Sequence, residues 1–431
     1  KVEEVGIPID KERMLAAGLY LDNELAKNKL EIYSYPEIKK LEEDQGKIFN
    51  PASVPQLRKL LFDFLKLTPT GRLTGTGAIS TDAEVLEELA QEHPLPKALL
   101  AIRQKAKLKN TYITKILDGL DKDGRIRTNF NLIFTTSGRL SSSGKFNAQQ
   151  IPREDPIIKG CIVARPGYKI VSQDLSTAEM WVAAVISNDK NLMKVFQQKE
   201  DFHSSVAKMV FDLPCEIKDV KTLFPLDRQA AKAVSFGILF GSGAKSVAET
   251  VNKEGGNLSV EDAKDVISEY FSTFSNLKRW LNERKTFIEA NGYTYSFFGR
   301  KRRLQNLFSK DKGVAAHEVR SGINMEIQSV ASDLNLLASI DMQKYIETSG
   351  IDANIFMLVH DSIVAEVKDE DIEEYCRVLK TFTQKDRGFM IPGCPIGVDI
   401  EIGQEYSFEK FDKVYELKEN CLSRISSNKT N

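Results

Sequence analysis

The chain has 431 residues, 60 Lys and Arg against 61 Asp and Glu, 42% hydrophobic and 28% charged positions. That balance excludes a disordered, collagen-like or coiled-coil chain, and the length leaves room for roughly three units of about 150 residues. No C-x-x-C pair, no two histidines at i, i+4 and no apolar run near the roughly 18 residues of a membrane span argue against structural zinc and a spanning segment.

The opening KVEEVGIPIDKERM has no initiator Met and no leader, so it reads as a fragment of a longer protein and not as a secretory precursor. Residues 1–125 read as helical, with Ser80 or Thr81 the expected N-cap of STDAEVLEELAQ. The Gly-, Pro- and Thr-rich TPTGRLTGTGAIS before it reads as a mobile loop. KALLAIRQKAKLK then carries Lys97, Arg103, Lys105, Lys107 and Lys109 without an acid; a solvated face and a phosphate-following surface explain it equally well. From 126 the texture turns to short strands, RIRTNFNLIF and GCIVARPGYKIVSQD, and then to a helical block over roughly 188–290. GYTYSFFGRKRRL alternates aromatics as a hairpin does, with Arg300, Lys301, Arg302 and Arg303 crowded on its far side. A long helix over roughly 313–346, the apolar IFMLVHDSIVAEV and a polar tail expected to fray complete the order. Strands interrupted by helical insertions predict an α+β core flanked by helical lobes.

Four segments carry chemistry. In YKIVSQDLSTAEMW an apolar strand ends at Asp174; a carboxylate there suits a hard cation, although taken alone the segment favours a helix cap. In IFMLVHDSIVAEV, His360, Asp361 and Ser362 form the turn of a hairpin whose apolar arms must be buried. Asp174 and Asp361 together would suit two Mg²⁺ ions about 3.5–4 Å apart. In DRQAAKAVSFGILFG, Arg228, Lys232, Phe236 and Phe240 recur every fourth residue and share one helix face, basic first and aromatic after. Such a face matches the charged tail and flat base of a nucleoside triphosphate, and Gly237 and Gly241 imply close approach of another group. In HEVRSGINMEIQSVASDLNLL, Arg320, Asn324 and Gln328 form a polar stripe of donors, equally a solvated face or a surface matched to minor-groove acceptors.

In this order the segments resemble the polymerase part of the family A DNA polymerases, the bacterial polymerase I type, with a texture of the bacteriophage branch. STDAEVLEELAQEHPLPKALLAIRQKAKLKNTY is similar to the thumb-to-palm region, TSGRLSSS followed by NAQQIP to the template-primer loop, and QDLSTAEMW, RQAAKAVSFGILFG and LVHDSIVAEV to motifs A, B and C. The resemblance implies a right-hand fold with an antiparallel palm sheet and helical thumb and fingers. Its parts would be 1–125 thumb and start of palm, 126–187 palm with the template-primer loop and motif A, and 188–300 fingers with the nucleotide-binding helix 228–241. Then come 301–413, palm with the motif C hairpin, and 414–431, a polar tail.

The resemblance further implies a DNA-directed DNA polymerase that extends a primer 3′-OH with dNTPs using two Mg²⁺ ions, with Mn²⁺ a substitute. Asp174 and Asp361 would hold metal with the Leu175 carbonyl, and Lys232 would assist catalysis. Glu179, Arg228, Lys232, Phe236 and Phe240 would bind nucleotide. Arg139, Asn147, Gln149, Arg320, Asn324, Gln328 and His360 would contact primer-template DNA. A monomer in the cytoplasm of a bacterium or phage-infected cell is expected, an organelle remaining open, with no membrane association and no proofreading domain in this stretch. Four departures stand out: Ser362 where the family has Glu, Phe240 for Tyr, Gln150 for Asn and Trp181 for Arg. The rivals are a single-subunit RNA polymerase relative, against which Glu179 argues, and a non-catalytic primer-template-binding remnant.

Overall fold

The computed structural model describes residues 1–152, 155–239, 241–253 and 255–408, and the backbone of 413–418 and 421–426. At its centre is a six-stranded antiparallel sheet. Its order is Cys421–Ser426, Lys413–Lys418, Gly397–Gly403, Tyr168–Ser176, Ser362–Lys368 and Ala353–Val359. Tyr168–Ser176 is paired along its length on both sides, to Gly397–Gly403 and to Ser362–Lys368. Its side chains alternate between two cores: Ile170 faces one with Phe356 and Val364, and Val171 faces the other with Ile355 and Ala365. Both faces are covered, which is why the hairpin arms read as continuous apolar runs. Of the tail expected to fray, the backbone of Lys413–Lys418 joins this sheet where Val414 pairs with Glu401 and itself pairs with Cys421–Ser426, and the rest lies outside the described residues.

The first helical lobe packs Leu41, Leu57, Leu86 and Leu99 around Lys11–Tyr33 and Pro94–Lys107. Its Ala83–Leu89 helix is capped by Asp82, which accepts from the Val85 N–H, and not by Ser80 or Thr81. A carboxylate is the stronger acceptor there, and the Ser80 hydroxyl supports it at 2.7 Å. The Gly-rich loop is tied down: the Arg58 guanidinium donates to the Ile79 carbonyl, and Arg72 pairs with Glu84 and Glu88. The basic stretch divides. Arg103 donates to the Pro51 and Thr81 carbonyls, Lys105 and Lys109 pair with Glu24 and Asp22, and Lys97 and Lys107 stay exposed.

The second helical lobe, from Ala178–Ser187 to Ser275–Asn291, encloses Trp181, Val206, Val234, Tyr270 and Phe274. Trp181 is a core residue here, its indole N–H donating to the Cys394 carbonyl at 3.2 Å. Lys312–Ser349 joins lobe to sheet. Val319, Ile327 and Val330 sit in the helical core, while Ala338 and Met342 lie beneath the sheet. The Tyr293–Tyr295 and Lys301–Arg303 hairpin precedes it, and Arg300 and Arg302 are bound back onto the long helix through Asp333 and the Ser321 carbonyl. Among the described residues no helix is long and apolar enough to cross a membrane.

Candidate active site

Strand pairing brings the two aspartates together. Asp174 lies opposite Ser362, the residue after Asp361, and the Leu175 N–H donates to the Asp361 carbonyl at 3.3 Å. Asp174 is not a helix cap: Thr177 holds that position in a left-handed conformation (φ 48°) without a side-chain cap bond. Asp174 Oδ1 instead accepts from the Ser362 hydroxyl at 2.9 Å. The turn is the two-residue His360–Asp361, with His360 at φ 52°, and Ser362 already belongs to the strand.

Gln149 fixes that turn from the neighbouring loop. Its amide donates to the Leu358 carbonyl at 2.6 Å and accepts from the His360 N–H at 3.0 Å. Asn147 caps the short helix Ala148–Gln150, accepting from the Gln149 N–H at 3.1 Å and from the Ser142 hydroxyl at 2.5 Å. Both amides expected to meet primer-template thus orient the aspartate turn and its loop.

Arg139 is the counter-cation of the site. One of its nitrogens lies 2.7 Å from Glu179 and 3.7 Å from Asp361. Burial pushes the Glu179 carboxyl above its ordinary value and the Asp361 charge adds to this, while Arg139 and a hydrogen bond from Gln328 work against it. Gln328 belongs to the half-buried row Arg320, Asn324, Gln328 on the long helix, so that stripe ends at Glu179. At its other end it meets Gly241. A Cβ there would fall 2.0 Å from the Arg320 Cδ, and Gly241 is at φ +70°. The close approach implied by this glycine is therefore to Arg320, and the left-handed backbone puts Gly241 beyond the helix, which ends at Leu239.

On the Pro225–Leu239 helix, Arg228 is forked to Asp201 at 3.0 and 3.1 Å and also donates to the Ser204 hydroxyl at 3.1 Å. Burial alone would raise the Asp201 carboxyl, but the bonds from Arg228 and Ser204 outweigh it and bring it down to about 2. The His203 ring lies 5.4 Å from that of Phe236, which is 37% exposed and able to present a face to a ligand. Burial, helped by the positive Arg228 and Lys232 and opposed by Asp201, lowers the His203 imidazole to about 4. Lys232, Phe236 and Gly237 also line a cavity of about 290 Å³ shared with Ser242, Ser246 and Thr250. Phe240 lies outside the described residues. Asp201, His203 and Ser204 are the members that sequence reading missed; EDFHSS announces an Asp N-cap but gives no sign of its partner on another helix.

The donor set fits Mg²⁺. Among the described residues no group of three or more His, Cys, Asp or Glu is close enough to enclose a metal. Mg²⁺ does not require one: it keeps several waters and binds through one or two carboxylates plus substrate phosphates. Asp174 at its strand end and Asp361 in the turn beside it could supply that pair.

Comparison with known proteins gives the same direction. The model of DNA polymerase family A matches residues 23–408. The DNA polymerase of Escherichia phage T5 is 50% identical over 96% of this chain and 51% of its own length. The thermostable DNA polymerase I of Thermus aquaticus is 32% identical over 94% of this chain and 46% of its own. The chain thus spans about half the length of these relatives. In three dimensions it is similar to the POL domain of Pol1 from M. smegmatis, solved in complex with DNA primer-template and dNTP. The TM-score is 0.82 and the identity 29%, over 95% of this chain and 69% of that one. The α+β fold expected from the sequence is that of this polymerase domain.

Proposed function

The chain belongs to DNA polymerase family A, and from that premise we propose that it is a template-directed DNA polymerase. It extends a primer 3′-OH with deoxynucleoside triphosphates by nucleotidyl transfer. The observation that carries the reading is the run of contacts linking the fingers-type helix to the carboxylates. Gly241 meets Arg320, Gln328 on the same stripe meets Glu179, and Glu179 shares Arg139 with Asp361. In this reading the sheet is the palm, the 178–291 lobe the fingers and the first lobe the thumb.

Asp174 and Asp361, with the Leu175 carbonyl, would hold two Mg²⁺ ions, for which Mn²⁺ can substitute. Ions held there would supply a lowered pKa at the primer hydroxyl and charge neutralisation at the triphosphate. The chain's own residues do the rest. Arg228 and Lys232 hold the phosphates, and Lys232 offsets the charge gathered by the departing pyrophosphate. Phe236 supports the sugar and base from below. Glu179, held by Arg139 and Gln328, fills the space a ribose 2′-OH would need. Arg139, Arg320, Asn324 and Gln328 offer donors to minor-groove acceptors, which every base pair carries, so pair shape is tested without reading sequence. Gln149, Asn147 and His360 serve the primer-template side by keeping the Asp361 turn in place. Partners are primer-template DNA and dNTPs, and we take the protein to act as a monomer in a bacterial or phage-infected cytoplasm.

Primer extension on a primed template with Mg²⁺, offering dNTPs and rNTPs separately, tests this beside Asp174→Ala and Asp361→Ala. Extension with dNTPs alone, abolished in both variants, is the expected result. Extension with rNTPs would move the reading to an RNA-synthesising relative. Primer-template binding without extension would leave a non-catalytic remnant.

A further inference from the structure

Leu132, Ile133 and Phe134 are three consecutive large apolar residues that the fold leaves 55%, 80% and 75% exposed. A single exposed apolar side chain is ordinary, but a run of three stands against solubility unless something covers it. The run occupies the first limb of the loop joining Asn129–Asn131 to Ser141–Ser143, a two-stranded hairpin that supplies no core for it. The second limb is clamped. The Thr135 hydroxyl donates to the Arg139 carbonyl at 2.5 Å. A Cβ at Gly138 would fall 2.7 Å from the Arg300 Nε and 3.1 Å from the Ser329 Cβ. Arg139 itself reaches Glu179 and Asp361. The loop is therefore seated on the long helix at Ser329, next to Gln328 and the donor stripe, with its apolar limb turned outward.

We propose that Leu132, Ile133 and Phe134 form an apolar ridge that packs into the minor groove of the primer-template duplex, against the sugar faces. The inference rests on the polymerase reading, which lays the duplex along Arg320, Asn324 and Gln328. Continuity with that surface selects the occupant: a duplex reaching Gln328 passes the loop anchored at the next residue. The chemistry agrees. The walls of a minor groove about 6 Å wide present deoxyribose C–H groups, and Phe, Leu and Ile are among the apolar side chains that minor-groove proteins bring into that groove. The stripe supplies polar donors to the groove floor and the ridge supplies apolar contact to its walls. That division gives duplex grip without phosphate contacts.

Salt dependence separates this from an electrostatic role, because only neutralised phosphates release counterions. Binding of a primed duplex and of a single strand is measured across a salt series for the parent chain, for Leu132→Ser/Ile133→Ser/Phe134→Ser, and for Phe134→Leu. Expected is a roughly tenfold or greater loss of duplex affinity in the triple variant, with an unchanged salt slope, unchanged single-strand affinity and near-parent binding in Phe134→Leu, which keeps an apolar side chain. Exposure of all three side chains predicts an unchanged melting temperature. Should the triple variant melt early, Phe134→Ser alone is scored on the same criteria. Unaltered duplex affinity, a shallower slope, or equal loss on single strands would overturn the ridge. Failure of the parent chain to extend a primer would instead overturn the polymerase reading itself, so the two failures are distinct.

Discussion

His203 offers a direct test of the nucleotide side of the site. Its imidazole is brought from 6.5 to about 4, chiefly by burial and then by the positive Arg228 and Lys232, against the opposing pull of Asp201. A displacement of that size amounts to about 3 kcal/mol in favour of the neutral ring. The unfolded chain takes up its proton near 6.5 and the folded chain only near 4, so the unfolded state binds more protons in between. The stability tied to His203 is therefore complete above 6.5, declines as pH falls and is lost by about 4. Its buried Nδ1 has no hydrogen-bond partner among the described residues, and the ring packs beside Phe236. A triphosphate held by Arg228 and Lys232 would bring anionic oxygens to that ring, favour its charged form and raise its pKa. By linkage, dNTP affinity then increases as pH is lowered through the interval between the two values. Titration of ¹³C-labelled histidine by NMR, with His203→Gln to assign the signal among four histidines, measures both states. A free value near 6.5 would refute the burial argument. A value near 4 that a non-hydrolysable dNTP analogue fails to move would refute the phosphate placement.

The other predictions concern the remaining walls of the site. Glu179→Ala leaves Arg139 with Asp361 alone and opens the space beside the sugar; rNTP incorporation relative to dNTP should rise on the order of tenfold to a hundredfold. An unchanged ratio in steady-state incorporation would remove Glu179 from the sugar pocket. Ser362→Glu replaces the hydroxyl that donates to Asp174 with a further carboxylate, so the Mg²⁺ needed for half-maximal rate should fall while the maximal rate changes less than about tenfold. Complete inactivity across a Mg²⁺ titration would mean that the site depends on the serine. Gly241→Ala sets a Cβ against Arg320 at φ +70° and should cost about 1–2 kcal/mol of stability. It should also weaken primer-template affinity, because Arg320 must move. Parent-like melting and binding would show the contact to be loose.

Local chemistry in the sequence determined the elements. Apolar runs on both sides of His360 and Asp361 can only be buried strands, since alternation is what one solvated face would have required. The i, i+4 recurrence by itself places Arg228, Lys232 and Phe236 on one helix face, and Arg320, Asn324 and Gln328 on another. Asp174, however, was legible only as a strand-end carboxylate for which a helix cap was the better local explanation. Pairing with Ser362 removed that explanation, and register is a property of two strands 188 positions apart in the chain. The same limit hid Asp201 and His203, whose partners lie on another helix, and concealed that Gln149 holds the Asp361 turn. Tertiary structure likewise divided each cationic cluster. Arg103, Arg300 and Arg302 bind backbone or carboxylate inside the fold, while Lys97 and Lys107 remain at the surface. Periodicity follows from backbone geometry and is written in every short window of sequence. Which charge meets which carboxylate depends on chain closure over long separations, and only the folded molecule decides it.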